Sequence, residues 1–144
     1  MERKEYFTFI VLHYNCFEET QACVDSILAL EQSDCVKIVV MDNASVNDSL
    51  ARLQEMYQSN EKNLGFSTGN NIAYDYAVKH WDSSFVVFAN NDLLFRDREF
   101  IRKVRGEYEK SHFGILSPDV FHTTLKIHQS PIDENMVLPK NRVR

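Results

Sequence analysis

Glycine and proline are scarce, four and three in 144 residues, and no stretch is low in complexity. A flexible linker or long disordered arm is therefore excluded from the body of the chain. The turn after the first apolar run, HYNCFEE from His13 to Glu19, holds no glycine at all. A P-loop or a dinucleotide fingerprint needs glycines there, so that backbone N–H groups can approach phosphate, and both are disfavoured. Cysteine is limited to Cys16, Cys23 and Cys35, with no Cys-x-x-Cys pair and no histidine at ligand spacing. That excludes a disulfide framework and structural zinc, and it fits a reducing cytoplasm. Basic charge is also short: the net charge is −5 and the Lys and Arg residues are scattered. No continuous surface tracks a phosphodiester backbone, so nucleic acid is not an expected partner. The longest apolar runs, Phe9 to Leu12, Ile38 to Met41 and Phe85 to Ala89, fall far below the roughly 20 residues of a spanning helix. The N-terminal MERKEYFTFIVLHYN reads as a first strand and not as a signal peptide.

What is present is material for one core: 44% of the residues are hydrophobic. The expectation is a single domain over residues 1–144, with a loose tail from about residue 130. YFTFIVLHY (Tyr6 to Tyr14) alternates too little for a solvated face and reads as a strand covered on both sides. Glu18 to Leu30 then places Cys23, Val24, Ile27 and Leu28 on one helical stripe. VKIVVMD is a β-branched strand ending in Asp42, after which Ser45 or Asn47 can cap a helix with Leu50, Leu53, Met56 and Tyr57 on one face. A third helix is expected from Ser67 or Thr68 to His80, FVVFA as a buried strand, and a helix capped by Asp97 carrying Phe100, Ile101, Val104 and Tyr108. FGILSP reads as one more short strand, and VFHTTLKIHQSP as a hairpin turning at Thr123 to Leu125. Strands alternating with helices of this length predict an α/β fold, Rossmann-like, in three α/β/α layers with a mostly parallel sheet.

In such a sheet the carboxyl ends of the strands share one rim, where ligands bind. Asn15 ends the first strand and Asp42 the second; Asn90, Asn91 and Asp92 end a later one in FVVFANNDLLF. Polar groups pinned against apolar neighbours are costly unless received by a partner. In KNLGFSTGNN, Gly65 and Gly69 flank a bend that is either a plain helix start or a second wall of the cleft, with Asn63, Asn70 and Asn71 facing it. Local roles stand beside the ligand roles: Asp42 can cap the loop Asn43 to Ser45, Asn15 can satisfy strand-end backbone, and Asp92 can be a turn or cap residue. His122 and His128 sit in the hairpin without a carboxylate framework and read as surface or packing residues.

The series VLHYN, VVMDNAS with Asp48 after it, KNLGFSTGNN and FANND resembles the N-terminal, nucleotide-sugar-binding half of family 2 glycosyltransferases of the A-type fold. The resemblance covers Phe7 to Phe95, and Gly114 to Pro131 more loosely. It implies that Tyr14 and Asn15, with Asn43, border the nucleoside and that Asp42 accepts a hydrogen bond from base or ribose. It also implies that Asn63, Gly65 and Asn70 line the donor site. Asn90, Asn91 and Asp92 stand at the family's Asp-x-Asp position, with an amide in place of the first carboxylate. There Asp92 would hold a divalent cation, Mg²⁺ or Mn²⁺, against the donor diphosphate.

The implied function is transfer of a sugar from a UDP-, GDP- or dTDP-linked donor to the hydroxyl of a glycan or lipid-linked glycan, with inversion, in polysaccharide or glycan biosynthesis. Its implied place is the cytoplasm or the inner face of the membrane. The family's catalytic base lies in a second half that has no match here, and Asp119, Asp133 and Glu134 stand in no matching segment. Either the chain is a fragment or truncated product, or a second copy or second polypeptide supplies the missing face; the alternative function is a non-catalytic, truncated nucleotide-sugar-binding or partner module that lacks the acceptor half and the base.

Overall fold

The structure is a computed structural model that describes residues 6–58, 64–67, 70–81 and 83–129. Two compact units are distinguished, Met1–Gly106 and Glu107–Arg144. In the first, strand β1 (Tyr6–His13) is followed by helix α1 (Phe17–Leu28), strand β2 (Val36–Asp42), helix α2 (Ser49–Gln58) and strand β3 (Leu64–Ser67). Helix α3 (Asn70–Trp81), strand β4 (Ser83–Asn90) and helix α4 (Phe100–Ser111) complete the series, and the unit boundary falls within α4. The four strands form one parallel sheet in the order β3-β2-β1-β4.

Period-two alternation sorts the central strands onto two faces. Phe7, Phe9 and Val11 of β1 are fully buried, and Phe9 meets Phe95 edge-on at 5.3 Å and Phe100 at 6.1 Å between ring centroids. On this face α1 packs on β1 through a stripe at i, i+3, i+4 and i+7, where Thr20, Cys23, Val24 and Ile27 are buried. α4 adds Ile101 and Val104 to the core. Ile10 of β1 and Val39 and Met41 of β2 gather on the other face around Ala73 of α3. The small alanines Ala73 and Ala77 let that helix come close to the strands. Burying each such Phe, Ile or Val contributes about 1.5–3 kcal/mol, which makes β1 and β2 the anchor of the fold.

Several expectations change. β4 is not a buried strand: it stands at the end of the described sheet, only Ala89 is buried, and Phe88 is 60% exposed. The third helix starts at Asn70 and not at Ser67, because LGFS extends the sheet by pairing Leu64 to Ser67 with Ile38 to Met41. Residues 113–118 form no strand, and Ile115 is almost fully exposed. In the second unit, β5 (Phe121–His122) and β6 (Ile127–His128) pair antiparallel as the hairpin. His128 there is not without a carboxylate, since its Nδ1 bonds Asp119. Among the described residues no helix is long and apolar enough to cross a membrane.

Candidate functional site

Parallel register brings the strand ends together. His13 lies opposite Asp42, and Leu12 lies between Met41 and Asn90. The loops that leave these three ends form the carboxyl rim of the sheet.

The first loop turns at Asn15, which adopts left-handed backbone with φ 56°, a conformation asparagine tolerates better than most residues. That turn spreads the polar groups of Asn15 toward the loop after β2. Its N–H donates to Ser45 Oγ at 2.9 Å, its Oδ1 accepts from Val46 N–H at 2.8 Å, and its carbonyl accepts from Asn47 Nδ2 at 2.8 Å. Asp42, 7% exposed, holds the same loop from within: the Ser45 N–H reaches both carboxylate oxygens at 3.2 Å and the Ser45 hydroxyl donates to Oδ1 at 2.5 Å. Ala44 lies between them at φ 61°. The local capping role expected for Asp42 is thus present. A carboxylate has about four acceptor positions, so the Ser45 bonds leave room for a further donor.

Beneath these loops lies a set of buried polar groups that the sequence reading did not single out. His13 ends β1 on the face toward α1 and is fully buried. Its Nδ1 lies 2.7 Å from Thr20 Oγ1 of α1 and its Nε2 lies 2.8 Å from Ser49 Oγ, the first residue of α2. Thr20 also accepts from Asn91 Nδ2 at 3.1 Å, and its hydroxyl lies 2.9 Å from the Cys16 carbonyl. Ser49 donates to Asn47 Oδ1 from its hydroxyl at 2.6 Å and from its N–H at 3.1 Å. Asn47, and not Ser45, therefore supplies the oxygen at the start of α2. The result is a continuous series from Asn91 through Thr20, His13, Ser49 and Asn47 to Asn15. Burial pushes the His13 imidazole below its ordinary pKa, and the nearby Asp42 carboxylate opposes that shift.

The third loop is a turn in which Leu93 N–H donates to the Asn90 carbonyl at 3.3 Å, with Asn91 and Asp92 at its centre. Cys23 Sγ lies under it, 3.7 Å from the Asn90 carbonyl. Burial first, and the Asp92 charge second, push this thiol up to about 12. Asn90 and Asp92 are exposed and Asn91 is half-buried. The Asp92 carboxylate is exposed, and a carboxylate oxygen is a hard donor of the kind divalent cations take. Among the described residues no group of three or more His, Cys, Asp or Glu side chains could hold an ion unaided. The fit therefore requires ligand oxygens or water to complete the coordination shell.

Of the expected site residues, Asn15, Asp42 and Asn91 are joined by hydrogen bonds or a short series of them, with exposed Tyr14 and Asn43 beside them. Gly65 lies within β3 opposite Val39, two residues before the rim position of Ser67. Asn70 opens α3 with only its backbone described, and Asn63 lies outside the described residues. On the α3 face of the same rim, a groove of about 230 Å³ is lined by Ile10, Leu12, Met41, Phe88, Asn90 and Leu93, among others.

The chain matches the sequence profile of Glycosyl transferase family 2 over residues 8–142. No curated protein is significantly similar in sequence. The fold is similar to S. aureus TarS 1-349, with TM-score 0.56 and 23% identity, covering 74% of this chain and 33% of that one. It is also similar to the mannosyltransferase PcManGT from Pyrobaculum calidifontis, solved with GDP-Man and Mn²⁺, with TM-score 0.57 and 21% identity, over 69% of this chain and 31% of that one. TarS 1-349 in complex with UDP-GlcNAc aligns with TM-score 0.55 and 20% identity, over 82% of this chain and 38% of that one. The chain thus spans about a third of the length of these structures.

Proposed function

The chain belongs to glycosyl transferase family 2, and from that premise we propose that residues 1–144 are the donor-binding half of an enzyme that transfers a sugar from a nucleoside-diphosphate sugar to an acceptor hydroxyl. Its fold is that of part of the A-type glycosyltransferases. The observation that carries the reading is the parallel register that sets Asp42 and Asn90 at the ends of the two strands flanking β1, with Asn15 and Asp92 on the loops that leave β1 and β4. Nucleotide sugars named with the structural neighbours, GDP-Man and UDP-GlcNAc, support the ligand class.

In this reading Asp42, held rigid by Ser45, accepts a hydrogen bond from an N–H or hydroxyl of the nucleoside. Tyr14, Asn15 and Asn43 border that nucleoside, and Asn63, Gly65 and Asn70 form the opposite wall. Asn90 and Asn91 face the diphosphate. Asp92 would hold Mg²⁺ or Mn²⁺, which when bound neutralises charge on the departing nucleoside diphosphate. Attack by the acceptor hydroxyl on the anomeric carbon needs a base within hydrogen-bond reach and proceeds with inversion, in assembly of a polysaccharide or glycan. Asp119 pairs with His128 in the hairpin unit, and no residue is assigned as the base.

Titration calorimetry with UDP, GDP, dTDP and their sugars, with and without Mn²⁺, tests the proposal. Binding of one nucleotide class, strengthened by Mn²⁺, is expected, and Asp92→Ala should abolish the Mn²⁺-dependent part. Absence of binding to every nucleotide would overturn the donor-site reading, and an unchanged Mn²⁺ effect in Asp92→Ala would overturn the metal assignment. Sugar release with an added acceptor separates transfer from binding alone.

A further inference from the structure

His13 occupies a position that neither the fold nor the donor-site reading uses. It is a titratable side chain with 0% exposure, at the end of a strand whose inward residues are otherwise Phe7, Phe9 and Val11. Packing alone would be met by another apolar residue there. Both ring nitrogens are instead engaged, each with the hydroxyl of a different helix start. Beyond each hydroxyl, one further amide side chain leads to a different rim loop. Thr20 receives Asn91, next to Asp92, while Ser49 holds Asn47, which is bonded to Asn15.

We propose that His13 is a positioning residue for donor binding: its imidazole ties the Asn15–Asn47 loops to the Asn90–Asp92 turn, so that the nucleoside and diphosphate ends of one ligand meet a rim of fixed spacing. The inference rests on the donor-site reading. The proton inventory supports a tie that works in both directions. Asn47 Oδ1 and the Cys16 carbonyl can only accept, so the hydroxyls of Ser49 and Thr20 are drawn toward them. Both hydroxyls cannot satisfy these acceptors at once: a neutral imidazole has one N–H, so one hydroxyl accepts from the ring while the other turns its own proton to the ring's lone pair. An apolar ring cannot do either, and it would leave two buried hydroxyls short of a partner.

Two variants separate the two arms. In His13→Asn the side-chain amide reaches no further than the Nδ1 position, so the Thr20–Asn91 arm is kept and the Ser49–Asn47 arm is lost. His13→Gln reaches the Nε2 position and does the reverse. The measurement is hydrogen exchange by NMR at the Val46 amide, which donates to Asn15 Oδ1, and at the Asn91 side-chain amide, which donates to Thr20. The expected result is faster exchange at Val46 alone in His13→Asn and at Asn91 alone in His13→Gln, by about tenfold, the effect of one lost buried hydrogen bond. Uniform acceleration across the sheet amides in both variants would mean that His13 only stabilises the fold, and would overturn the proposal. Calorimetry on the same samples adds the functional arm: the nucleotide that the wild-type chain binds should bind about tenfold more weakly to each variant. An unchanged affinity alongside accelerated exchange would also overturn it. A wild-type chain that binds no nucleotide refutes the donor-site reading, while the exchange pattern still decides whether His13 ties the two loops.

Discussion

Thr20→Val removes one hydroxyl from the centre of the buried series while keeping the side-chain volume. Thr20 is fully buried, so water cannot replace the lost group. Its hydroxyl lies 2.7 Å from His13 Nδ1, 3.1 Å from Asn91 Nδ2 and 2.9 Å from the Cys16 carbonyl. Asn91 is half-buried and can regain water, and Cys16 is exposed, but His13 Nδ1 has nowhere to turn. Leaving one such group unsatisfied costs about 1–3 kcal/mol, so the expected loss is about 2 kcal/mol, a factor of roughly thirty in the folding equilibrium. Thr20→Ser keeps the hydroxyl and gives up one buried methyl, for about 1 kcal/mol. The single tryptophan, Trp81 in α3, reports unfolding in urea by its fluorescence. The order expected is wild type, then Ser, then Val. A valine variant within about 0.5 kcal/mol of wild type, or a serine variant less stable than the valine one, would refute the view that this hydroxyl holds the series together.

Acid should weaken the fold through His13. Burial lowers its folded pKa, so below the free-histidine value of about 6.5 the unfolded chain takes up a proton that the folded chain refuses. Stability should therefore fall as pH drops through that value, and His13→Asn should flatten this part of a urea-midpoint profile; equal slopes would contradict the assignment. Thiol labelling with iodoacetamide at pH 8 should modify exposed Cys16 in the native state, and buried Cys23, pushed up to about 12, only on unfolding. Mass spectrometry of the labelled peptides checks this. Phe9→Ala should cost about 3–5 kcal/mol by urea denaturation, because Phe9 is fully buried among Phe95 and Phe100. Phe88→Ala, at an exposed position, should stay within about 0.5 kcal/mol.

The elements that could be read from the chain are those whose signal is local. The stripe Cys23, Val24, Ile27 fixes α1, and the β-branched run of VKIVVMD fixes β2. Asp97 stands just before α4, its Oδ1 accepting from Glu99 N–H at 3.1 Å in the turn that leads into the helix. LGFS did not read as a strand because four residues with a glycine carry little intrinsic preference, and its extended form depends on β2 beside it. Exposure along β4 follows from strand order, which no window of FVVFA contains. FGILSP is apolar, yet Ile115 is almost fully exposed. For the site, Asn15, Asp42 and Asn91 were visible as polar residues ending apolar runs. Their supports were not, although two clues were present. Thr20 sits in register with the apolar stripe of α1, and His13 continues the alternation Phe7, Phe9, Val11. A polar residue inside a buried period needs a partner, and these two are partners of each other.

The left-handed backbone of Asn15 and Ala44 bears on the entropy of ligand encounter. Alanine resists that conformation by about 1–2 kcal/mol, and the loop adopts it because the bonds around Asn15, Asp42 and Ser45 leave no other course. The conformational freedom of this rim is therefore surrendered when the chain folds. A molecule arriving there meets a mould that has already set, and the free energy of its contacts is not spent on shaping the surface that receives it.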